Sequence, residues 1–288
     1  MIGALEAGGT KMVCAVGTED GKILEQVSIP TTTPGETMPQ ILGYFKGKDI
    51  RALGVGTFGP VGVRPGTPEY GFILDTPKLD WRHFDLLGSL APLGVPMGLD
   101  TDVNASCLGE MTYGCAAGLE SVIYITIGTG VGLGAAVEGK LLHGMLHPEA
   151  GHILLSRHQK EWQNGCCPYH QNCLEGYVSG PAIEKRWGKK AADLADNPTV
   201  WAMESYYIAQ ALADFILTLS PQKIILGGGV MKQEQLFPLI REKTLAFLGG
   251  YLHTMELEDI DNYIVPASLG GDQGIMGCIK LGLGALGE

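Results

Sequence analysis

The chain has 288 residues, a formal net charge of −11 and an apolar share of 45%. That length suits two modest domains or one large one, and the acidic balance speaks against nucleic acid or an anionic membrane as partner, since both need basic faces. Glycine is in excess at 43 residues, against a usual share of ~7%, and with no repeating triplet it signals tight turns and close backbone approaches.

Residues 2–5 and 12–16 are apolar around Glu6-Ala7-Gly8-Gly9-Thr10-Lys11, which predicts a β-hairpin with a glycine tip. Stripped of Cβ at Gly8 and Gly9, the backbone can press its N–H groups against a phosphate, with Thr10 and Lys11 adding a hydroxyl and a charge. The alternative is a plain turn. Residues 22–28 continue the meander, 34–45 read as a helix, and 52–56 as a short buried strand ending in Thr57-Phe58-Gly59-Pro60-Val61. A Gly-Pro turn at a strand's end is where open α/β sheets keep their ligands. The stretch 64–93 is loop-rich and carries Trp81, expected to act as a lid aromatic rather than as plain packing.

A strand over 95–99 and a helix over 105–113 place Asp102 where strand hands over to helix. It is either an N-cap, worth about 1 kcal/mol, or a general base at the mouth of the sheet. Residues 121–127 are strongly apolar, Gly128-Thr129-Gly130-Val131-Gly132 turn, and 133–137 read as a strand: a second hairpin with a glycine tip. Two such hairpins, each opening an apparent α/β half, predict two similar domains facing each other across a cleft.

Between His147 and Glu175 the chain gathers Glu149, His152, Cys167, His170, Cys173 and Glu175. Cys-x2-His-x2-Cys can close on one ion with His152 as the fourth corner, and tetrahedral Cys2His2 is a zinc preference. The thiol nearest in sequence, Cys166, competes with Cys167; Cys167 is preferred because it keeps the x2 spacing. Four protein ligands leave no open position, so the zinc is expected to be structural, pinning the loop that carries Glu149 and Glu175. The competing account is a cluster of ordinary loop cysteines. The chain opens directly as a strand, and its seven cysteines are expected as thiols or metal ligands in a reducing cytoplasm. No apolar run approaches the ~20 residues a bilayer requires.

Residues 179–187, 200–219 and 237–248 read as helices, 223–226 and 263–267 as strands, the latter at an edge, and 272–283 as a last helix whose Gly274 and Gly277 permit close packing on a sheet. Gly227-Gly228-Gly229-Val230-Met231 separates a strand from a helix and can let a purine or ribose lie on the backbone. Three glycine loops in a two-half α/β chain form a nucleotide cradle in which backbone N–H groups replace lysines and a divalent cation, Mg2+, neutralises the phosphates. Asp102, Glu149, His152 and Glu175 then suit a polyol or sugar, because carboxylates accept from hydroxyls, with Asp102 taking the proton of the attacking hydroxyl.

The set EAGGT, GPV, DVNASCLGE, YITIGTGVGLG, HPEAGH, CPYHQNCLEG and LGGGV, in order over nearly the whole chain, resembles the ROK (repressor, open reading frame, kinase) sugar kinases, and within them the bacterial fructokinases. The resemblance implies an α/β fold of two ribonuclease-H-like (actin/hexokinase ATPase) domains with an interdomain cleft, divided as 1–115 with the C-terminal helix 272–288, and 116–271. It implies ATP-dependent phosphorylation of a hexose at O6, here D-fructose to fructose 6-phosphate, with mannose or glucose as the alternative hexose. Asp102 matches the catalytic base. Gly59, Thr101, Glu149, His152 and Glu175 match the sugar site; Thr129, Gly130, Pro181 and Gly227 to Met231 match the ATP contacts; His152, Cys167, His170 and Cys173 match the zinc ligands. A homodimer is implied by the family alone. The chain departs from the family pattern in Glu6, where an Asp is usual, and in Thr101, where glucose-specific members carry Asn. Family members that act as sugar-sensing repressors carry an N-terminal winged helix; a hairpin beginning at residue 2 leaves no room for one, so a kinase is expected.

Overall fold

The computed structural model describes Met1–Gly287. The first half runs β1 (Ile2–Ala7), β2 (Lys11–Gly17), β3 (Ile23–Pro30), α1 (Pro34–Phe45), β4 (Ala52–Thr57), α2 (Leu86–Leu90), β5 (Met97–Thr101) and α3 (Asp102–Tyr113). The remainder runs β6 (Val122–Ile127), β7 (Val131–Val137), β8 (Lys140–Leu141), α4 (Leu174–Val178), α5 (Gly180–Trp187), α6 (Pro198–Leu219), β9 (Lys223–Gly227), α7 (Leu236–Leu248), α8 (Met255–Glu258), α9 (Ile260–Tyr263), β10 (Ile264–Pro266) and α10 (Gln273–Ala285). Two compact units result: Met1–Gly118 with Leu141–Pro148 and Ser268–Glu288, and Leu119–Lys140 with Glu149–Ala267.

Each unit has its own five-stranded sheet, ordered β3-β2-β1-β4-β5 and β10-β9-β6-β7-β8. Read from the opposite end, the second order matches the first: an antiparallel hairpin with a third strand outside it, then two parallel strands on the far side. The expected duplication is therefore one of topology as well as of glycine tips.

In the first unit, β1 alternates between two cores. Leu5 and Ala7 join Met12, Cys14, Ile41, Phe45 and Trp81 on one face. Ile2 and Ala4 join Ala52, Ala105, Ile275, Cys278 and Ile279 on the other. Trp81 lies in the first core at 1% exposure, its indole N–H donating to Thr32 O at 2.6 Å, with Phe58 and Phe84 edge-on to its ring. The expectation of a lid aromatic is thus corrected: apolar burial and a satisfied N–H hold the ring inside.

The second core mixes isoleucines with alanines, and at several points α10 lies almost on the backbone of its neighbours. A Cβ at Gly54 in β4 would overlap the carbonyl of Cys278, one at Gly98 in β5 that of Leu281, and one at Gly277 in α10 that of Ala105 in α3. Glycine is required there by contact distance rather than by dihedral angle.

The second unit centres on α6, whose 22 residues bury Val200, Trp201, Tyr207, Ile208, Leu212 and Ile216. Beside it sits a buried ionic group. Arg186 of α5 bridges Glu161 at 2.9 Å and Glu204 of α6 at 2.7 Å, and donates to Tyr177 O of α4 at 3.0 Å. Tyr177 and Tyr207 stack at 4.2 Å, and the guanidinium lies 5.5 and 5.6 Å from their ring centres. Glu161 belongs to the long loop between β8 and α4, so this network ties that loop to three helices.

Gly277→Ala should lower the unfolding free energy by about 1–3 kcal/mol, the usual cost of overpacking, in urea titrations. Gly284→Ala, whose added methyl meets nothing within 4 Å, should leave it unchanged or raise it by up to about 1 kcal/mol.

Candidate active site

Register decides what stands together in the first unit. Ala7 of β1 pairs with Thr57 of β4, and Thr57 with Thr101 of β5, all in parallel strands. Gly8 and Gly9, Gly59, and Asp102 therefore follow the carboxyl ends of three adjacent strands, the edge where such sheets place ligands. The hairpin tip is tied down from behind: Gly8 O accepts from Thr31 Oγ1 at 2.7 Å and Thr10 O from Thr31 N at 3.1 Å. Lys78 is a residue sequence reasoning missed; its Cε would lie 2.9 Å from a Cβ at Gly9, bringing a second lysine beside Lys11 to the tip. Glu6, just before the tip, has its carboxyl pKa raised, by burial first and by Asp272 as well, against the pull of Lys11.

The N-cap of α3 is Thr101, not Asp102. Thr101 Oγ1 accepts from Asn104 N at 3.1 Å, which leaves Asp102 as the first helical residue, its Oδ1 accepting from Val103 N at 2.9 Å. A carboxylate in the first turn of a helix sits in the favourable end of the dipole. Beneath it lies Asp100, 2% exposed. Its Oδ1 accepts from Thr101 N at 2.8 Å and from Asn104 Nδ2 at 2.7 Å; its Oδ2 meets His143 Nε2 at 2.9 Å. No motif pointed to His143, because it reaches this cluster from 43 residues away in sequence.

In the second unit three glycine turns converge. Gly128 N donates to Gly130 O at 2.9 Å, closing the β6–β7 tip, and Gly180 N at the start of α5 donates to Gly128 O at 2.7 Å. Pro181 follows in the first turn of α5. Thr126 pairs in parallel with Gly227, and Gly228, at φ +91°, packs against the backbone of Ile127, where a Cβ would overlap. A Cβ at Gly128 would lie 3.7 Å from Gly229 N, and Val230 and Met231 follow in a short 3-10 turn. Thr129, Gly130, Pro181 and Gly227 to Met231 are thus gathered at one end of this sheet, with little side chain to obstruct a phosphate or a ribose.

The metal candidates also meet. His152 and Cys173, 21 residues apart, are brought opposite each other by a short ladder: Leu174 N to Ile153 O at 3.0 Å and Leu155 N to Asn172 O at 2.9 Å. Cys167 Sγ then lies 3.7 Å from His152 Nδ1 and 3.8 Å from His170 Nδ1, and Cys173 Sγ 3.8 Å from His152 Nδ1. All four ligand atoms fall within 4.8 Å of one another. Bonds of about 2.3 Å to sulfur and 2.0–2.1 Å to nitrogen at the tetrahedral angle would put sulfur and nitrogen about 3.6 Å apart, so the cage has the right size. Cys166 points elsewhere, with Sγ 3.9 Å from Ser179 Oγ.

Glu149 and Glu175 flank this cage. Glu175 Oε2 accepts from Val131 N at 3.0 Å, so the same carboxylate also braces the β6–β7 tip. Glu149 keeps an exposed surface, yet desolvation by the protein packed around its carboxyl pushes it up to about 7, and the nearby Glu175 charge adds to the rise.

Two sheets of one strand order, each with glycine turns at the carboxyl ends of its parallel strands, define the two-domain α/β class to which actin and the hexokinases belong. A ROK glucokinase from Streptomyces griseus, solved in complex with glucose and AMPPNP, shares this fold at TM-score 0.78 and 27% identity, over 97% of this chain and 98% of that one. The ROK family profile matches residues 2–284, and the chain belongs to the ROK family. A Bacillus subtilis (strain 168) protein is 52% identical over 99% of this chain and 96% of its own length. A fructokinase from Pediococcus pentosaceus is 47% identical over 99% of both chains.

A carboxyl whose folded pKa is raised contributes stability that is present below its ordinary value of 4.5 and is lost as pH rises through about 7. Glu149→Gln should therefore gain stability over the parent protein, with the gain small near about pH 5 and largest near about pH 8 in paired urea titrations.

Proposed function

We propose that this chain is a fructokinase, transferring the γ-phosphoryl group of ATP to O6 of D-fructose. The observation that carries the choice of sugar is identity: 47% to a fructokinase over 99% of both chains, against 27% to a glucokinase of the same fold. Asp102 is the general base. It takes the O6 proton as O6 bonds to the γ-phosphorus and the bond from phosphorus to the β–γ bridging oxygen breaks, releasing ADP. Gly59, Thr101, Glu149, His152 and Glu175 bind the sugar hydroxyls. Gly8, Gly9, Thr10 and Lys11 at one hairpin tip, and Thr129, Gly130, Pro181 and Gly227 to Met231 at the other turns, hold the nucleotide through backbone N–H groups and the short α5 N-terminus. Mg2+ supplies charge neutralisation of the phosphates when bound with ATP.

His152, Cys167, His170 and Cys173 form a structural zinc site. The fit rests on donor type and on the edge lengths of the cage, and four protein ligands leave no place for substrate. His152 serves both the cage and the sugar through its two nitrogens. Nδ1 faces the cysteine sulfurs, and an imidazole bound through Nδ1 keeps its proton on Nε2 as a donor to a hydroxyl. The need for thiolate ligands favours the reducing cytoplasm, and the acidic surface gives nucleic acid no purchase. A homodimer is proposed from the family, supported by exposed apolar side chains such as Tyr251 and Met255.

A coupled ADP-release assay over fructose, mannose and glucose should give its highest kcat/KM with fructose; turnover of none of them overturns the assignment. Asp102→Asn should reduce kcat by at least about 100-fold, the lower end of the range for a lost acid–base group, while calorimetry shows fructose still bound. Chelator treatment that removes one zinc per chain should lower Tm and kcat together; a zinc-free protein with both unchanged would exclude the structural role.

A further inference from the structure

Asp100 has no part in the chemistry above, yet it is the most heavily engaged carboxylate near Asp102. It is 2% exposed and accepts from Thr101 N, Asn104 Nδ2 and His143 Nε2, all between 2.7 and 2.9 Å. The first two donors lie on the turn that starts α3. Thr101 is the N-cap, and Asn104 N–H is the donor that Thr101 Oγ1 accepts, so Asp100 and Thr101 lock one helical turn between them, and Asp102 is its first residue. The third donor comes from Leu141–Pro148, a segment of the same compact unit. His143 is therefore the one partner that does not share the turn's own backbone.

A buried carboxylate costs several kcal/mol unless it is paired. Thr101 N–H and Asn104 amide are neutral donors, and His143 is the group in the cluster able to bring a positive charge. The other groups around it do not replace that role. His147, on the same segment, accepts from Val61 N at 3.2 Å, which requires its Nε2 to be unprotonated, and burial lowers its pKa. Tyr70 is a phenol whose pKa is raised, by burial first and by the Asp100 charge as well, so it brings no positive charge. By contrast the hydrogen bond to Asp100 raises the pKa of His143.

We propose that Asp100 and His143 form a positioning pair for Asp102: the imidazole anchors the buried carboxylate, and the carboxylate in turn holds the helix start on which the base stands. The inference rests on the assignment of Asp102 as base. The pair does not touch the reacting atoms. Its effect is on where the Asp102 carboxylate lies when O6 must give up its proton, a step sensitive to displacements of about 1 Å.

The His143 side chain is 34% exposed, so its replacement is compatible with folding. His143→Ala should lower kcat roughly tenfold, in the range expected for a misplaced catalytic group, with KM for fructose changed less than about threefold. His143→Gln, which returns an N–H donor without a charge, should recover most of the loss. The charge-assisted bond is complete below the ordinary imidazole value of 6.5 and weakens as pH rises through the raised one. The ratio of parent to His143→Gln kcat should therefore be largest at low pH and fall towards one at high pH. A purely structural tie would move Tm alone and leave kcat and this ratio flat. The His143 ring, followed by 15N NMR, should titrate above 6.5. The pair is overturned if His143→Ala keeps kcat within about twofold of the parent while Asp102→Asn is inactive, a result that leaves the base assignment standing. It is equally overturned by a His143 midpoint at or below the ordinary value. If Asp102→Asn itself turns over normally, the base assignment fails and the pair falls with it.

Discussion

Parallel pairing in register is the constraint on which the rest of this structure depends. Because Ala7, Thr57 and Thr101 stand side by side, the turns that follow them open at one edge and cannot be displaced singly. The same holds in the other sheet, where Thr126 and Gly227 are partners. A slip of one residue in either ladder would turn every side chain of a strand to the opposite face, taking Leu5 out of one core and Ala4 out of the other. Burial on both faces thus guarantees the alignment of the loops, and the loops inherit their placement from packing they do not take part in.

Glycine was legible as a signal but has two meanings here. At Gly8, Gly128 and Gly228 it thins a turn at the carboxyl end of a strand, where the sequence pattern placed glycine tips. At Gly54, Gly98 and Gly277 it lets α10 press on β4, β5 and α3. Sequence alone separates these poorly, because the second kind sits inside regular elements, where spacing says nothing about which backbone lies across the contact. The expectation of close packing by Gly274 and Gly277 on a sheet holds for Gly274, which lies against Glu6 of β1, whereas Gly277 meets the carbonyl of Ala105 in α3, a helix.

Most strands and helices could be read from apolar runs and their punctuation, and both hairpin tips from their glycines. The Cys2His2 cluster was legible because Cys167, His170 and Cys173 lie within one short loop; its partner His152 is close only through the ladder of Ile153 and Leu155 with Asn172 and Leu174, which no spacing rule encodes. Asp102 was readable as a residue at a strand–helix boundary, though not as the residue after the cap, since Thr and Asp both cap helices well. Lys78 and His143 were beyond reach. Each acts at a point remote in sequence, and a lone Lys or His in a loop carries no pattern. Trp81 misled for a related reason: a proline-rich neighbourhood suggests exposure, while the ring had a core to enter and a carbonyl to meet.

The long loop between β8 and α4 is fastened in two chemically unlike ways. One is the Cys2His2 cluster, four side chains whose ligand atoms lie within 4.8 Å of one another and could hold a metal ion. The other is Glu161, held by Arg186 among two tyrosine rings and Glu204, a contact indifferent to oxidants and chelators and sheltered from dissolved salt by burial. The four side chains lie on both sides of Glu161, His152 before it and Cys167, His170 and Cys173 after it, so an open cluster loosens both arms of the loop while Glu161 holds its middle and Tyr177 O, bound to Arg186, holds the helix that carries Glu175.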